Sequence, residues 1–197
     1  MGLNNNMDRP TYVNISKGRL FTKEKDKLPV YFTDIDGTIT GVSFEENDFK
    51  GDKFEIVKFK ISDNGDNYIL QMRTDSGYFR GLCNSLKSGI PTERVNITPS
   101  YKEIDDKPQS TCFVKQYGKV LKHTYTKDKQ GDFPQVEVVT FKGKTQYDGS
   151  AQIEFWKRWL NSLNFKHEII ADAPMPQTDN KQEKTFIEVD ESSDLPF

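Results

Sequence analysis

Cysteine is scarce in this 197-residue chain: Cys83 and Cys112 are the only two, far apart and in neither a CxxC nor a metal-ligand spacing. That argues against a metal site and predicts two reduced side chains in or near the core, with a disulfide between them as the minor reading. Histidine is as rare, and His123 and His167 have no Cys or His neighbour at ligand spacing, so no metal is expected. No apolar run approaches the eighteen or so residues that a membrane helix needs. A Gly-rich phosphate loop and a nucleophile elbow are also missing, which leaves catalysis little to stand on and predicts a non-enzymatic protein without a cofactor. The N-terminus, Met1-Gly2-Leu3-Asn4-Asn5-Asn6-Met7, has no basic stretch followed by an apolar one, so we expect no secretory signal and a cytoplasmic protein without a membrane partner.

What the chain does have is charge, 29% of its residues, and that charge is unevenly placed. Between Ala171 and Phe197 seven acids face only Lys181 and Lys184, giving that segment five net negative charges. Because the whole chain carries −2, the first 170 residues carry +3. A mildly basic body joined to an acidic tail points to a polyanion at one end and a protein partner at the other. The tail closes in Asp190-Glu191-Ser192-Ser193-Asp194-Leu195-Pro196-Phe197. So short and charged a run cannot build a core. Its acids, Leu195, Pro196 and the Phe197 ring with a terminal carboxylate suit a docking tip for a basic groove. We therefore divide the chain into a disordered lead-in (1–10), a folded body (11–170), a flexible Pro- and Gln-containing linker (171–189) and the tip (190–197).

Within the body, period-two alternation dominates. Tyr12 to Ile15 and Arg19 to Phe21 flank a turn at Ser16-Lys17-Gly18. A long strand is predicted over Val30–Phe44, bent at Asp36-Gly37 and at Gly41. Phe54–Ile61 and Tyr68–Arg73, joined through Asn64-Gly65, form the clearest hairpin. Further strands are predicted at Val95–Tyr101, Thr111–Tyr117 and Lys119–Tyr125, with Val136–Phe141 either a short strand or an extended arm. Two segments have helical spacing. One runs from a Ser76 cap through Tyr78, Phe79, Leu82, Cys83 and Leu86 to Gly89, and the other spans about Ser150–Asn164 around Trp156 and Trp159. Five to seven short strands, one helix inserted after the third or fourth and another at the end predict a mainly β fold: a small OB-fold-like barrel, partly open or closed.

Alternation also sorts side chains by face. Val57, Phe59 and Ile61 point inward, as do Tyr68, Leu70 and Met72, and Cys112 and Val114. Outward then fall Phe54, Lys58 and Lys60; Gln71 and Arg73; and Phe113, Lys115 and Tyr117. Lys122, like Lys119 and Tyr125, lies on a flexible arm as a weaker candidate. Aromatic rings on which bases stack, interleaved with cations for phosphates, are what binding to single-stranded nucleic acid requires. Trp156 and Trp159 are assigned to packing the last helix on the body.

One motif competes. Val30 to Thr38 contains Asp34-Ile35-Asp36-Gly37-Thr38, the DxDGT pattern of haloacid dehalogenase-like phosphatases, in which two aspartates and Mg2+ carry phosphoryl transfer. That chemistry needs an α/β sheet with a helix soon after the motif, whereas the next forty residues here read as strands and turns.

The acidic tip resembles the C-terminal tip of single-stranded DNA-binding proteins (SSBs) of bacteria and their phages. The order of segments, with Ser76-Gly77-Tyr78-Phe79-Arg80-Gly81-Leu82 opening a helix and Ile97-Thr98-Pro99-Ser100-Tyr101 in a strand, is similar to SSBs of phages that infect gut Bacteroidetes, over roughly residues 11 to 165. The resemblance implies a protein that coats single-stranded DNA in replication, recombination and repair, in a bacterial or phage-infected cell. Through Asp190, Glu191, Asp194, Leu195, Pro196 and Phe197 it would recruit replication and repair proteins. The longer body and the tryptophan-bearing second helix depart from ordinary bacterial SSBs, so their tetramer is not carried over and the oligomeric state stays open. RNA binding and a protein-interaction adaptor remain alternatives.

Overall fold

Tight turns at positive φ set the architecture of the chain. The computed structural model describes residues 9–23, 27–141 and 144–165, without the side chains at 139, 141, 144 and 146. The strands are β1 (Thr11–Ser16), β2 (Arg19–Thr22), β3 (Val30–Phe32), β4 (Ile35–Phe49), β5 (Asp52–Asp63) and β6 (Asp66–Arg73). After helix α1 (Gly77–Leu86) come β7 (Arg94–Ile104), β8 (Lys107–Gln116), β9 (Lys119–Val120), β10 (Glu137–Phe141) and β11 (Lys144–Asp148), and then helix α2 (Ser150–Ser162). Two-residue turns close β1–β2, β4–β5, β5–β6, β7–β8 and β8–β9, each with positive φ at both central positions, the geometry that matches the right-handed twist of paired strands. Asp105-Asp106, at φ 52° and 59°, makes the β7–β8 turn without a glycine, which is why that hairpin was not apparent as one.

The fold is mainly β, one nine-stranded mixed sheet in the order β3-β2-β1-β6-β5-β4-β7-β8-β9, with β10 and β11 paired separately. Every pairing in the large sheet is antiparallel except β1 with β6. The terminal strands β3 and β9 do not pair with each other, so the hydrogen-bonded sheet is not a closed barrel. It nonetheless curls, because the β1–β2 turn reaches α1 and β7. Gly18 N donates to the Tyr78 hydroxyl at 2.8 Å, and a Cβ at Gly18 would lie 2.7 Å from the Tyr101 backbone nitrogen.

Several expectations change. There are eleven strands among the described residues, and α1 follows the sixth of them. The stretch Val30–Phe44 is two elements: β3 folds onto β2 and β4 starts anew at Ile35. Asp36-Gly37 is no turn but lies inside β4, paired with Asn96 and Val95. Gly37 is required there by crowding, since a Cβ would meet the Ile61 Cγ2 at 2.5 Å. The bend at Gly41 is present, as a register shift against β5 between Ile39 and Gly41. Of the predicted strand Lys119–Tyr125 only Lys119–Val120 forms, and Tyr125 is buried rather than outward.

The inner face of the sheet carries the buried Val57, Phe59, Ile61, Leu70, Val114 and Ile97, and α1 lays Phe79, Leu82, Cys83 and Leu86 against it. Both cysteines are buried and free, and burial raises both thiols well above the usual range. Ser76 caps α1, its hydroxyl accepting from Phe79 N at 3.3 Å. The helix lies directly on β8, since a Cβ at Gly81 would sit 2.2 Å from Thr111 Oγ1. Helix α2 docks through the fully buried Trp156 and Leu160, with Trp156 amid Tyr125, Phe133, Phe155 and Trp159 at ring separations of 5.2–5.8 Å. Lys157 ties α2 to β5 through Glu55 at 2.8 Å. No helix among the described residues is long and apolar enough to cross a membrane. The lead-in up to residue 8, residues 166–170, the linker and the tip Asp190–Phe197 lie outside the described residues.

Candidate nucleic-acid interface

Pairing register turns separate strands into one surface, because residues directly opposite each other share a face. Lys58 sits opposite Ser43 on β4 and Gln71 on β6, and Gln71 sits opposite Asn14 on β1. Asn14 in turn faces Phe21 on β2, and Phe21 faces Tyr31 on β3. Six strands thus contribute a continuous outer row, Ser43–Lys58–Gln71–Asn14–Phe21–Tyr31, locked at its centre by Gln71 Nε2 donating to Asn14 Oδ1 at 2.6 Å. A parallel row runs Lys60–Ile69–Tyr12, and another places Arg73 opposite Ile56.

The inward and outward assignments made from alternation hold on β5, β6 and β8. Val57, Phe59, Leu70, Met72, Cys112 and Val114 are buried, while Phe113 and Lys115 are exposed and Phe54, Lys58, Lys60, Gln71 and Arg73 are half-buried. Tyr117 is 75% exposed, but it sits in the β8–β9 turn at φ 51°, past the end of β8, so its ring is not held by the sheet. Lys122 lies on an irregular exposed segment after β9. Phe113, Lys115 and Tyr117 are separated from Lys58 and Lys60 by β4 and β7, so the candidates form two patches on a curved sheet.

Ion pairing divides the cations. Lys58 is bound to Glu45 on the neighbouring strand. Arg73 grips Asp75 with two hydrogen bonds, of 3.0 and 2.6 Å, and lies over the Phe54 ring with its guanidinium 5.2 Å from the centroid. Both cations are therefore partly neutralised in place. Lys60 has no ion-pair partner among the described residues, and its stem lies along Gly41. Around Lys115 a shallow groove of about 500 Å³ is lined by Asp34, Asp36, Arg94, Asn96 and Tyr117. Asn96 Nδ2 donates to Asp36 Oδ2 at 3.1 Å, and Arg94 pairs with Asp63 at 2.6 Å, an interaction that raises the guanidinium pKa further. Of the DxDGT aspartates, Asp36 thus lies in β4 and Asp34 just before it, and the strand that follows is β5, without the helix that the phosphatase chemistry needs. Among the described residues no group of three or more His, Cys, Asp or Glu side chains could hold a metal ion.

Alternation alone missed Tyr12, Phe21 and Tyr31. Nothing local announces that β1 will run parallel to β6, and that pairing is what brings them beside Lys58 and Lys60. Comparison with family models, curated proteins and solved structures finds no match.

Proposed function

We propose that the chain binds single-stranded DNA without sequence preference, by stacking bases on exposed rings and neutralising phosphates with lysine and arginine. The observation that carries the reading is the outer face itself: Phe54, Lys58, Lys60, Gln71 and Arg73 come together on β5 and β6, with the exposed Phe113, Lys115 and Tyr117 as a second patch beyond β4 and β7. The element order β4-β5-β6-α1-β7-β8, with β4 paired to both β5 and β7, supports reading the body as OB-like. In an OB-fold the second and third strands form the oligonucleotide-binding face, and on that reading those are β5 and β6. The tip, residues 190–197, would recruit replication and repair proteins to the coated strand.

The test is an electrophoretic shift on an oligo-dT at low salt. Binding that weakens steadily as salt rises is expected, and no shift at low salt would refute the reading. Equal or tighter binding to the matching oligo-U assigns the face to RNA instead. The Glu45–Lys58 and Asp75–Arg73 pairs favour one second reading, a protein-interaction adaptor whose face binds peptide. That reading predicts binding without a salt-dependent oligonucleotide complex.

A further inference from the structure

Among the described residues, the β3 end of the sheet leaves apolar side chains exposed. On β3, the terminal strand, Val30, Tyr31 and Phe32 are 55%, 52% and 45% exposed, and Tyr12 on β1 is 49% exposed. An apolar edge of this kind fits either a stacked ligand or a strand from another molecule. Charge decides between them. Between residues 9 and 33 the sequence holds Arg9, Lys17, Arg19, Lys23, Lys25 and Lys27 against Glu24 and Asp26, a net +4 on a body whose total is +3. Among the described residues no carboxylate pairs with Arg9, Lys17, Arg19 or Lys23. Two such edges brought together would repel, whereas a polyanion is attracted to each.

We infer that the meander β1–β3 is a second stacking platform that carries the single strand past the β5–β6 face to the edge of the sheet. The inference rests on the single-strand reading proposed above. Register supplies the path: Tyr12 belongs to the row of Lys60, and Phe21 and Tyr31 continue the row of Lys58 and Gln71. Arg19 stands opposite Ser16 on the same outer face as Phe21, two residues on. The Phe21 and Tyr31 rings, with centroids 5.9 Å apart and tilted by 42°, present one broad aromatic surface beside that arginine. From β5 to β3 there are four strand-to-strand steps, about 19 Å at the usual spacing, so the meander lengthens the site and does not duplicate it. Stacking there is indifferent to base identity, as every base has a π-face.

The experiment compares the full chain with a Tyr12→Ala/Tyr31→Ala variant and with Arg19→Gln on oligo-dT of graded length, from about 4 to about 16 nucleotides. Both rings are about half exposed, so thermal midpoints close to the parent's are expected. Affinity for the shortest oligonucleotide should be unchanged. Affinity for the longest should fall about tenfold or more in the double variant, at about a kcal/mol or more per lost stack. Arg19→Gln should lower the salt slope by about 0.7 on the long oligonucleotide only, and Tyr31→Phe should restore binding when it replaces Tyr31→Ala. If the parent binds and the variants match it at every length, the inference fails while the single-strand reading stands. A parent that sediments as a dimer, with the double variant monomeric and binding as before, would make this edge a self-association surface and overturn the inference. A parent that binds no oligonucleotide removes both.

Discussion

Glu45 partly neutralises Lys58, and replacing it with glutamine tests whether Lys58 lies on a phosphate path. Glu45 and Lys58 are 42% and 20% exposed, and a pair of that exposure contributes about 0–1 kcal/mol to folding, so Glu45→Gln should leave stability nearly unchanged. Binding should respond more. A carboxylate about 6 Å from a bound phosphate repels it by roughly 0.7–1.4 kcal/mol at an effective dielectric of about 80 to 40, so removing it tightens binding about 3- to 10-fold. The freed ammonium adds one neutralised phosphate, which steepens the plot of log affinity against log salt by about 0.7 for a single strand. The gain should fade towards about 1 M salt, where the screening length falls to about 3 Å. Fluorescence anisotropy of a labelled oligo-dT at four or five salt concentrations reads both quantities. An unchanged slope with unchanged affinity would show that the strand does not pass Lys58, and weaker binding would show that the carboxylate orients the lysine productively.

Other perturbations probe the scaffold and the tail. Trp156→Ala empties the centre of the aromatic cluster under α2 and should cost about 3–5 kcal/mol, a fall in thermal midpoint of roughly 6–20 °C; a loss below about 1 kcal/mol in urea titration would mean that α2 is not docked as described. Tyr125 donates to Asp132 at 2.6 Å, and burial with that carboxylate pushes its pKa up to about 12 from 10.0. Between those two pH values the unfolded chain loses this proton while the folded chain keeps it, so stability falls as pH rises from about 10 to 12. Tyr125→Phe should remove part of that fall and leave the part that arises from Tyr68 and Tyr78, whose pKa values burial also raises; urea midpoints across that range check it. Ending the chain after Ile170 removes five net negative charges and should tighten DNA binding at low salt while abolishing recruitment through the tip. Weaker DNA binding by the shortened chain would argue against competition between tail and DNA.

The hairpins at Lys17-Gly18 and Asn64-Gly65 were visible in the sequence because turn chemistry and alternation are local, carried by residues a few positions apart. The same locality made the inward and outward faces of β5, β6 and β8 legible, together with the Ser76 cap and the role of Trp156. It failed where the deciding contact is distant. Asp36-Gly37 has the composition of a turn, yet it lies in a strand because it pairs with Asn96 and Val95 on β7, and Ile61 on β5 leaves only a glycine room there. Asp105-Asp106 has none of the glycine that usually marks a two-residue hairpin, and long strands on both sides hold it in that geometry.

The candidate site divides along the same line. Sequence alone determined which residues could stack and which could neutralise charge, and that the chain's excess positive charge belongs to its body. Only the tertiary structure decided that Lys58 and Arg73 are occupied by Glu45 and Asp75. It also decided that Tyr12, Phe21 and Tyr31 continue the same face, because β1 pairs in parallel with β6 across more than fifty residues of intervening chain. Alternation tells a strand which side is wet, but a side chain acquires its neighbours only when the strand finds its partner, and no local pattern encodes that choice.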